Sequence, residues 1–510
     1  MPIFEQIIEG GYQYIDKTEL IYKLTHTYNY VFLSRPRRFG KSLLVSTLKS
    51  YFEGRADLFK GLAMDRLETE WKQYPVVHMS LGSVKESSLA KINSQINDCL
   101  DEVERSLQLQ TTPRDTIGSR LKEIIIRSHE KYGMPAVVLI DEYDAPLLNN
   151  ITNEILDDVR NTMRAFYAPL KECLEHIRFI FITGITKFSQ LSIFSELNNL
   201  SNISMLPQYS TICGITEHEL TTFFGQGISN LAAHNQTARD EMIATLRQYY
   251  NGYHFAREGS AVYNPYSIVC AMQNEYLDYY WYNTGTPTIL LKLLQKYRPD
   301  ITKLDGCVVK SNQFDVPTEK MTNVLPLFYQ SGYLTIKEYD QRRDRYTLGF
   351  PNDEVRFGIM DSLIPNYVTA ATDVNPLISA EDIRFAFEDN DVSAAITHLR
   401  HLLKSIPYQE GTRRNEGHYT SMLYVIFMLV GIKVQSQVRT ADGRLDILLT
   451  TSKRNYLIEL KLNRSAREAL AQIDSKDYAL AVTNKLPVTK IGINFSTDTG
   501  TIADWMLREE

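Results

Sequence analysis

Residues 30–46 read YVFLSRPRRFGKSLLVS, an apolar β-rich run that is followed by a basic loop and then by a helical pattern. In the loop, Gly40, Lys41 and Ser42 complete a GxxxxGK(S/T) sequence, and strand, loop and helix stand in the order that this motif requires. The amides of such a loop and the amino end of the following helix surround phosphate oxygens. The stretch therefore predicts a phosphate-binding loop in an α/β domain.

Two residues of the motif have chemical roles in binding a nucleotide. Lys41 would supply a positive charge to the β- and γ-phosphates, and Ser42 would offer its hydroxyl oxygen to Mg²⁺. The first glycine of the motif is replaced by Arg35, so the loop begins without glycine's freedom at positive φ. The alternative interpretation is a basic surface turn ahead of a helix.

Residues 135–144, PAVVLIDEYD, form a second apolar run that ends in Asp141 and Glu142. Buried parallel strands place such carboxylates at the carboxyl edge of the sheet. There Asp141 would bind the metal ion, and Glu142 would orient or deprotonate the attacking water, as nucleotide hydrolysis requires. A third run, RFIFITGITKFS, places Thr183 where it could sense the γ-phosphate, and a purely structural hydroxyl is an equal alternative.

This site is predicted to bind ATP and Mg²⁺, with Ser42 and Asp141 as metal ligands. The predicted nucleotide-binding residues are Arg37, Arg38, Phe39, Gly40, Lys41, Ser42, Leu43, Asp141 and Thr183. Hydrolysis also calls for an arginine that stabilises the charge of the transition state. The sequence does not rank the candidates for that role, which are Arg37, Arg38, Arg160 and Arg164.

A second group of charged residues lies near the carboxyl end, where GRLDILL and YLIELKL contain Asp446, Glu459 and Lys461. Alternation along a strand puts Glu459 and Lys461 on one face, and Asp446 joins them if the neighbouring strand pairs in register. Two converging carboxylates repel each other, and a divalent ion such as Mg²⁺ relieves the repulsion and activates water. The group predicts catalytic residues for phosphodiester hydrolysis, with Asp446 and Glu459 as metal ligands.

Glu416 on the preceding helix and Gln472 on the following helix are predicted to support this second site. The spacing alone is weak, because a D…ExK string arises by chance about once in a chain of this size. Its position in consecutive strands of an αβββαβ unit favours a genuine metal site. The alternative function is a nucleotide-gated interaction protein whose carboxyl unit binds nucleic acid or a partner without cutting.

Taken together, these strings resemble a bacterial family of predicted AAA-type ATPases fused to a PD-(D/E)XK nuclease-like domain. YIDKTELI, RPRRFGKSLL, VVLIDEYDAPL, FITGITKFS and YNGYHF resemble the ATPase half, and GRLDILL, YLIELKL and ALAQIDSKDYA resemble the nuclease half. The resemblance implies an α/β fold with a P-loop core, a helical and winged-helix region, and a carboxyl-terminal αβββαβ unit of the restriction-endonuclease type. It also implies that Lys41, Ser42, Asp141 and Glu142 are the nucleotide residues and that Asp446, Glu459 and Lys461 are the nuclease residues. The leading hypothesis is an ATPase whose nucleotide state controls a Mg²⁺-dependent nuclease in the same chain.

The predicted division has four parts. Residues 1–212 would form the P-loop core, 213–350 the helical and winged-helix-like region, 351–410 a helical connector, and 411–510 the nuclease-like domain. The wing would be the hairpin predicted for YLTIKEYDQRRDRYTLGF. The expected partners are ATP and nucleic acid, with DNA the favoured polymer. The sequence leaves open whether the chain forms a homo-oligomer.

The balance of charge excludes a global positive field, because 61 acidic against 55 basic residues give a net charge of −6. Nucleic acid would have to bind a local basic surface. Five separated cysteines without a CxxC pair indicate neither a zinc site nor a disulfide framework. The amino terminus lacks a secretory pattern, and the apolar run 422–432 is shorter than the ~20 residues of a membrane span. A cytoplasmic protein is expected.

Two surface features have alternative interpretations. The tyrosine-rich clusters at 249–255 and 276–283 could stack on unpaired bases, although buried helix faces are the commoner explanation. The charged loop 340–345, with Arg342, Arg343 and Arg345, could meet a nucleic-acid backbone, although a solvated hairpin tip is favoured. His254 and His418 have no partner at metal-ligand spacing and are assigned no catalytic role.

Overall fold

The fold is taken from a computed structural model, which describes residues 3–110, 115–187, 200–285, 304–316, 321, 323–359, 376–404, 416–429, 433–439, 443–476, 478, 482 and 484–509. The chain divides into two compact units. Unit 1 comprises Met1–Pro299 and Gly306–Glu354, and unit 2 comprises Asp300–Asp305 and Val355–Glu510. The finer four-part division stays a prediction.

The strands in the described residues form three sheets. They are β1 (Tyr30–Ser34), β2 (Val76–Ser80), β3 (Ala136–Asp141), β4 (Ile177–Gly184), β5 (Ser201–Asn202), β6 (Cys307–Val309), β7 (Thr335–Asp340), β8 (Arg345–Gly349), β9 (Lys433–Arg439), β10 (Arg444–Thr450), β11 (Asn455–Leu462), β12 (Val488–Phe495) and β13 (Ile502–Glu509).

The helices of unit 1 are α1 (Phe4–Glu9), α2 (Thr18–Thr27), α3 (Lys41–Phe52), α4 (Ala63–Leu67), α5 (Leu89–Ser106), α6 (Ile117–Tyr132), α7 (Ala145–Asn149), α8 (Leu156–Tyr167), α9 (Pro169–Glu172), α10 (Glu217–Phe223), α11 (Gly225–His234), α12 (Arg239–Tyr250), α13 (Pro265–Asn274), α14 (Tyr280–Gly285), α15 (Ser311–Phe314) and α16 (Leu325–Gln330). Those of unit 2 are α17 (Pro376–Glu388), α18 (Val392–Lys404), α19 (Glu416–Leu429) and α20 (Ala466–Ser475). Short 3₁₀ turns lie at Ala56–Phe59, Leu174–His176 and Pro207–Tyr209.

The first sheet has the order β2-β3-β4-β1-β5, and its neighbouring strands are parallel. This confirms the α/β core with a parallel sheet. β4 lies between β1 and β3, so the phosphate loop after β1 and the acids at the end of β3 meet at one edge of the sheet. Parallel strands buried on both faces read as continuous apolar runs, which explains why β1, β3 and β4 were predictable.

Helices cover this sheet with apolar stripes. On α5, the residues Ile92, Ile96, Leu100 and Val103 recur at helical spacing and are fully or almost fully buried in the core of unit 1. Burying each such side chain contributes about 1.5–3 kcal/mol. The layer that results holds the carboxyl edge of the sheet in place.

The other two sheets also contain the strands that the sequence predicts. The predicted hairpin is confirmed as β7 and β8, and β6 extends it to a three-stranded sheet of order β6-β8-β7. In unit 2 the sheet has the order β13-β12-β11-β10-β9. The predicted αβββαβ order is confirmed as α19, β9, β10, β11, α20 and β12, and β13 is an additional strand.

The connector differs from its prediction in part. Two regular helices, α17 and α18, occupy 376–404. The prolines at 365, 376 and 407 in this part of the sequence predict only short helices. Pro376 is the first residue of α17, a position that proline tolerates because its missing amide needs no partner there. Pro365, Pro407 and residues 430–432 of the apolar run lie outside the described residues. Among the residues that the structure describes, no helix has the length and apolarity to cross a bilayer.

Candidate functional site

The phosphate loop makes its turns without a glycine at its first position. Arg38 (φ 65°) and Gly40 (φ 92°) adopt the left-handed conformation, whereas Arg35 does not. Glycine's freedom is needed only at positive φ, so Arg35 introduces no backbone strain. Gly40 then precedes the first residue of α3, Lys41.

Arg35 instead holds the start of the loop with its side chain, which is 1% exposed. Its Nη1 donates to the carbonyls of Ser34 (2.9 Å) and Ser204 (2.8 Å), and Nη2 donates to that of Tyr209 (3.1 Å). The guanidinium also lies 4.2 Å from the centre of the Phe255 ring. Burial lowers the pKa of Arg35 to about 10, which leaves it charged at neutral pH.

Arg35→Ala is expected to destabilise unit 1. The substitution removes the hydrogen-bond donor of three carbonyls. Each buried carbonyl left unpaired lowers the free energy of unfolding by about 1–3 kcal/mol. Differential scanning calorimetry should show the unit 1 transition at least ~5 °C lower. Arg38→Ala is the control, because this exposed guanidinium only stacks on Tyr266 at 4.9 Å. Equal transitions for the two variants would contradict the structural role of Arg35.

Lys41 lies folded over the loop. Its Nζ donates to the carbonyls of Arg35 (3.0 Å) and Pro36 (2.9 Å), and the residue is 6% exposed. Burial lowers the pKa of Lys41, while the nearby carboxylates of Asp141 and Glu142 act in the opposite direction. The ammonium therefore lies at the sheet edge that also carries the acids, as a nucleotide site requires.

Aromatic residues support the loop from the other side. Phe39 contacts the rings of Tyr253 (4.7 Å) and Phe255 (5.4 Å), which belong to YNGYHF. The indole Nε1 of Trp281 donates to the carbonyl of Arg37 (2.9 Å). Tyr253 and Trp281 are each 1% exposed. These members of the two tyrosine-rich clusters thus match the buried alternative and not base stacking.

The first two acids of DEYD, Asp141 and Glu142, lie in different surroundings. Asp141 ends β3, is 4% exposed, and accepts from the amide of Glu142 (2.9 Å). Glu142 has φ 50° and directs its carboxylate over Gly82, where a Cβ would come within 1.9 Å of Oε2. Glu142 also lines a cavity of about 640 Å³ beside His78 on β2. The predicted base thus borders an open cavity next to the buried metal-ligand candidate.

Asp144 is a site residue that the sequence interpretation missed. It is 1% exposed, and its Oδ2 accepts from the amides of Ile185 (3.0 Å) and Thr186 (2.6 Å) and from the Thr186 hydroxyl (2.6 Å). Burial raises the pKa of Asp144. This carboxylate fixes the end of β4 against the turn after β3. The sequence did carry a signal for this residue, because Asp144 is the third acid of the same DEYD string.

Thr183 is fully buried, and its hydroxyl donates to the carbonyl of Leu33 (2.7 Å). That bond joins β4 to β1 and supports the structural alternative for this residue. Of the other predicted residues, Ser42 and Leu43 lie half-buried in the first turn of α3. Arg160 and Arg164 both lie on α8, away from the loop in sequence, and Arg160 pairs with Asp157.

In unit 2 the strand register brings the predicted nuclease residues together. Ile447 of β10 pairs with Ile458 of β11, so the next position places Asp446 across from Glu459. The amide of Leu460 donates to Asp446 Oδ2 (3.0 Å), and the amide of Asp446 donates to Glu459 Oε2 (3.4 Å). The two carboxylates therefore occupy one small region of the sheet face.

Lys461 completes this group. Its Nζ donates to Glu459 Oε1 (3.2 Å) and to the carbonyl of Leu460 (3.2 Å). Glu459 is 2% exposed, and burial, together with the charge of Asp446, raises its pKa to about 7. The geometry matches the alternation predicted for ExK, in which Glu459 and Lys461 share a face.

A hydrogen-bonded chain supports Glu459 from α20. Gln472 Nε2 donates to Glu459 Oε1 and to the Tyr478 hydroxyl (3.3 Å). Tyr478, which the sequence interpretation missed, also donates to the carbonyl of Arg444 (3.0 Å) and accepts from its amide (3.2 Å). Gln472 thus contacts Glu459 directly, and its supporting role stays a prediction. Glu416 is the exposed first residue of α19, and none of these contacts involves it.

The donor set is compatible with a divalent ion at Asp446 and Glu459. Within the described ranges, no group of three or more His, Cys, Asp or Glu side chains is arranged to hold a metal. Mg²⁺ in phosphoryl sites commonly uses one or two carboxylates and completes its shell with water and substrate phosphate. Two adjacent, partly desolvated carboxylates fit that pattern, since a cation relieves their repulsion.

The charged turn of the β7–β8 hairpin is exposed at 341–345. Arg343 pairs with Asp340 at 3.0 Å. This pairing within the turn is consistent with the solvated alternative. Arg342 and Arg345 are exposed at the same tip.

Comparison with known proteins agrees with both halves. A family model described as predicted AAA-ATPase matches residues 1–194, and one described as the PD-(D/E)XK nuclease superfamily matches residues 414–505. A relative from Azotobacter chroococcum mcd 1, described as an uncharacterized protein in the vnfD 5′ region, is 33% identical over 523 residues. The alignment covers 99% of this chain and 97% of the relative. The chain belongs to the family of predicted AAA-ATPase-like proteins that carry a carboxyl-terminal PD-(D/E)XK nuclease superfamily domain.

Proposed function

We propose that the chain is an ATPase that regulates a Mg²⁺-dependent nuclease, with ATP bound in unit 1 and nucleic acid cut in unit 2. The observation that carries the proposal is the group formed by Asp446, Glu459 and Lys461, whose members contact one another across two adjacent strands. A group of this composition is suited to phosphodiester hydrolysis and has no obvious role in packing.

In unit 2, Asp446 and Glu459 would hold the ion, which supplies Lewis-acid stabilisation of the phosphate and a more acidic water. Lys461 keeps its ammonium beside Glu459 and would steady the negative charge that develops on the phosphate. Gln472 fixes the Glu459 carboxylate by its hydrogen bond. The scaffold therefore holds the reacting groups before substrate arrives.

In unit 1, Lys41 would leave the carbonyls of Arg35 and Pro36 and bind the β- and γ-phosphates. Ser42 and Asp141 would face the ion that accompanies ATP, and Glu142 would orient the attacking water and accept its proton. The carbonyls of Arg35 and Pro36, which would lose their bonds to Lys41, lie at the start of the loop, and the backbone there would adjust to the bound nucleotide. The nucleotide state is thereby coupled to the shape of this loop.

One assay tests the proposal directly. The full chain is incubated with plasmid, linear duplex, single-stranded DNA or single-stranded RNA, with Mg²⁺ or Mn²⁺, and with ATP, ADP or no nucleotide. We expect phosphate release from ATP and nucleic-acid products whose rate depends on the nucleotide. Binding of nucleic acid without products under every condition would identify a nucleotide-gated binding protein instead.

A further inference from the structure

The start of β10 carries an exposed arginine beside the candidate nuclease group. Arg444 lies two residues before Asp446 on the same strand, so the two side chains leave the same face of the sheet, ~7 Å apart along the strand. Arg444 is exposed, while Asp446 is half-buried. A positive charge thus flanks the acids at the exposed start of β10.

The backbone of Arg444 is fixed although its side chain is exposed. The Tyr478 hydroxyl bonds both the amide and the carbonyl of Arg444, and through Gln472 it is linked to Glu459. Gly443 permits this approach, because a Cβ there would lie 2.8 Å from the Tyr478 oxygen. The position of Arg444 is therefore tied to that of the carboxylate group.

The guanidinium of Arg444 differs from those of Arg400 and Arg454 in unit 2, which are hydrogen-bonded. Arg400 donates to the carbonyls of Ile502 and Ala503, and Arg454 donates to the Thr489 hydroxyl. Within the described part of the chain, the Arg444 guanidinium has no hydrogen-bond or ion-pair partner. The backbone of Arg444 is therefore fixed, while its guanidinium stays available to bind a ligand.

The register adds a second basic position, since Arg444 pairs directly with Arg439 of β9. Arginine also suits phosphate, because its planar fork donates two parallel hydrogen bonds. A nucleic-acid strand presents such anions at every nucleotide.

We propose that Arg444 binds a backbone phosphate of the nucleic acid next to the phosphate that would lie at Asp446 and Glu459. Arg444 would thereby set where the strand crosses the sheet. This inference rests on the proposed function for its choice of ligand. It concerns binding, however, and so it can be tested separately from cleavage.

The test is equilibrium binding of fluorescein-labelled oligonucleotides to the full chain in EDTA, followed by anisotropy over a range of KCl concentrations. We expect Arg444→Ala to weaken binding at least ~10-fold and to reduce the slope of log Kd against log salt by about 1, as loss of one phosphate contact does. Arg444→Lys should keep the salt slope and regain part of the affinity. Single-stranded, duplex and RNA probes distinguish the polymers.

Lys453→Ala is the matched control. Lys453 is an exposed cation in the turn at the other end of β10, ~20 Å away along the strand, and its loss should change the Kd less than 2-fold. Unchanged affinity and salt slope in Arg444→Ala, or a parent chain that binds none of the probes, would overturn the inference. Arg444-dependent binding without products in Mg²⁺ or Mn²⁺ would instead refute cleavage and uphold the phosphate contact.

Discussion

Asp446→Ala combined with Glu459→Ala is expected to lower nucleic-acid cleavage ~10³-fold while ATP turnover stays at the parent level. The two carboxylates are the candidate ion ligands, and the contribution of a bound ion to phosphoryl-group chemistry is several kcal/mol, where 1.36 kcal/mol corresponds to a factor of ten. Unit 1 keeps every residue of its own site in this variant. Cleavage is measured by product release from labelled DNA, and turnover by phosphate release.

The control for this variant removes two acids that are not in the site. Glu388 and Asp389 lie at the end of α17 and are partly or well exposed, so Glu388→Ala with Asp389→Ala changes the net charge equally. Circular dichroism should show that both double variants are folded. Equal cleavage by the Asp446 and Glu459 variant and the parent would refute the nuclease assignment.

Lys41→Ala is expected to reduce ATP affinity by at least ~30-fold and to abolish measurable turnover. Removing a buried charge that pairs with phosphate costs about 2–5 kcal/mol, which is a factor of ~30 or more. The loop itself should persist, because Arg35, Phe39 and Trp281 hold it through contacts that do not include Lys41. Affinity is measured with a fluorescent ATP analogue, and turnover by phosphate release.

Lys49→Ala provides the comparison, because this half-exposed lysine lies on the same helix and pairs only with Glu53. It should bind ATP as the parent does. If nucleotide regulates the nuclease, cleavage by Lys41→Ala will no longer respond to added ATP. Normal ATP affinity in Lys41→Ala would show that the loop is only a basic turn.

The sequence could predict the elements whose side chains repeat with a clear period. The apolar runs of β1, β3 and β4 and the alternation of β10 and β11 gave the correct strands, because burial on one or both faces dictates those patterns. By contrast, β13 is exposed at most positions and forms the sheet edge. A strand with no buried face leaves no periodic signal, and the two-residue β5 is too short for one.

The residues of the candidate sites could likewise be predicted only where a local sequence pattern pointed to them. Motif spacing and strand patterns singled out Lys41, Asp141, Asp446 and Glu459 as candidates, because each belongs to a recognisable string beside or within a predicted strand. Tyr478 could not be found, because its role depends on Arg444, a residue 34 positions away. The consequence of Arg35 was equally hidden, as its partners Ser204 and Tyr209 come from a distant part of the chain.

The contact between Trp281 and the carbonyl of Arg37 provides an intrinsic fluorophore beside the phosphate loop. The chain contains only three tryptophans, and a variant in which Trp71 and Trp505 are changed to phenylalanine keeps Trp281 alone. In such a protein all indole emission originates at a side chain that hydrogen-bonds the loop backbone. The arrival of a nucleotide and the time course of each loop rearrangement can therefore be recorded by stopped-flow spectroscopy without any attached dye.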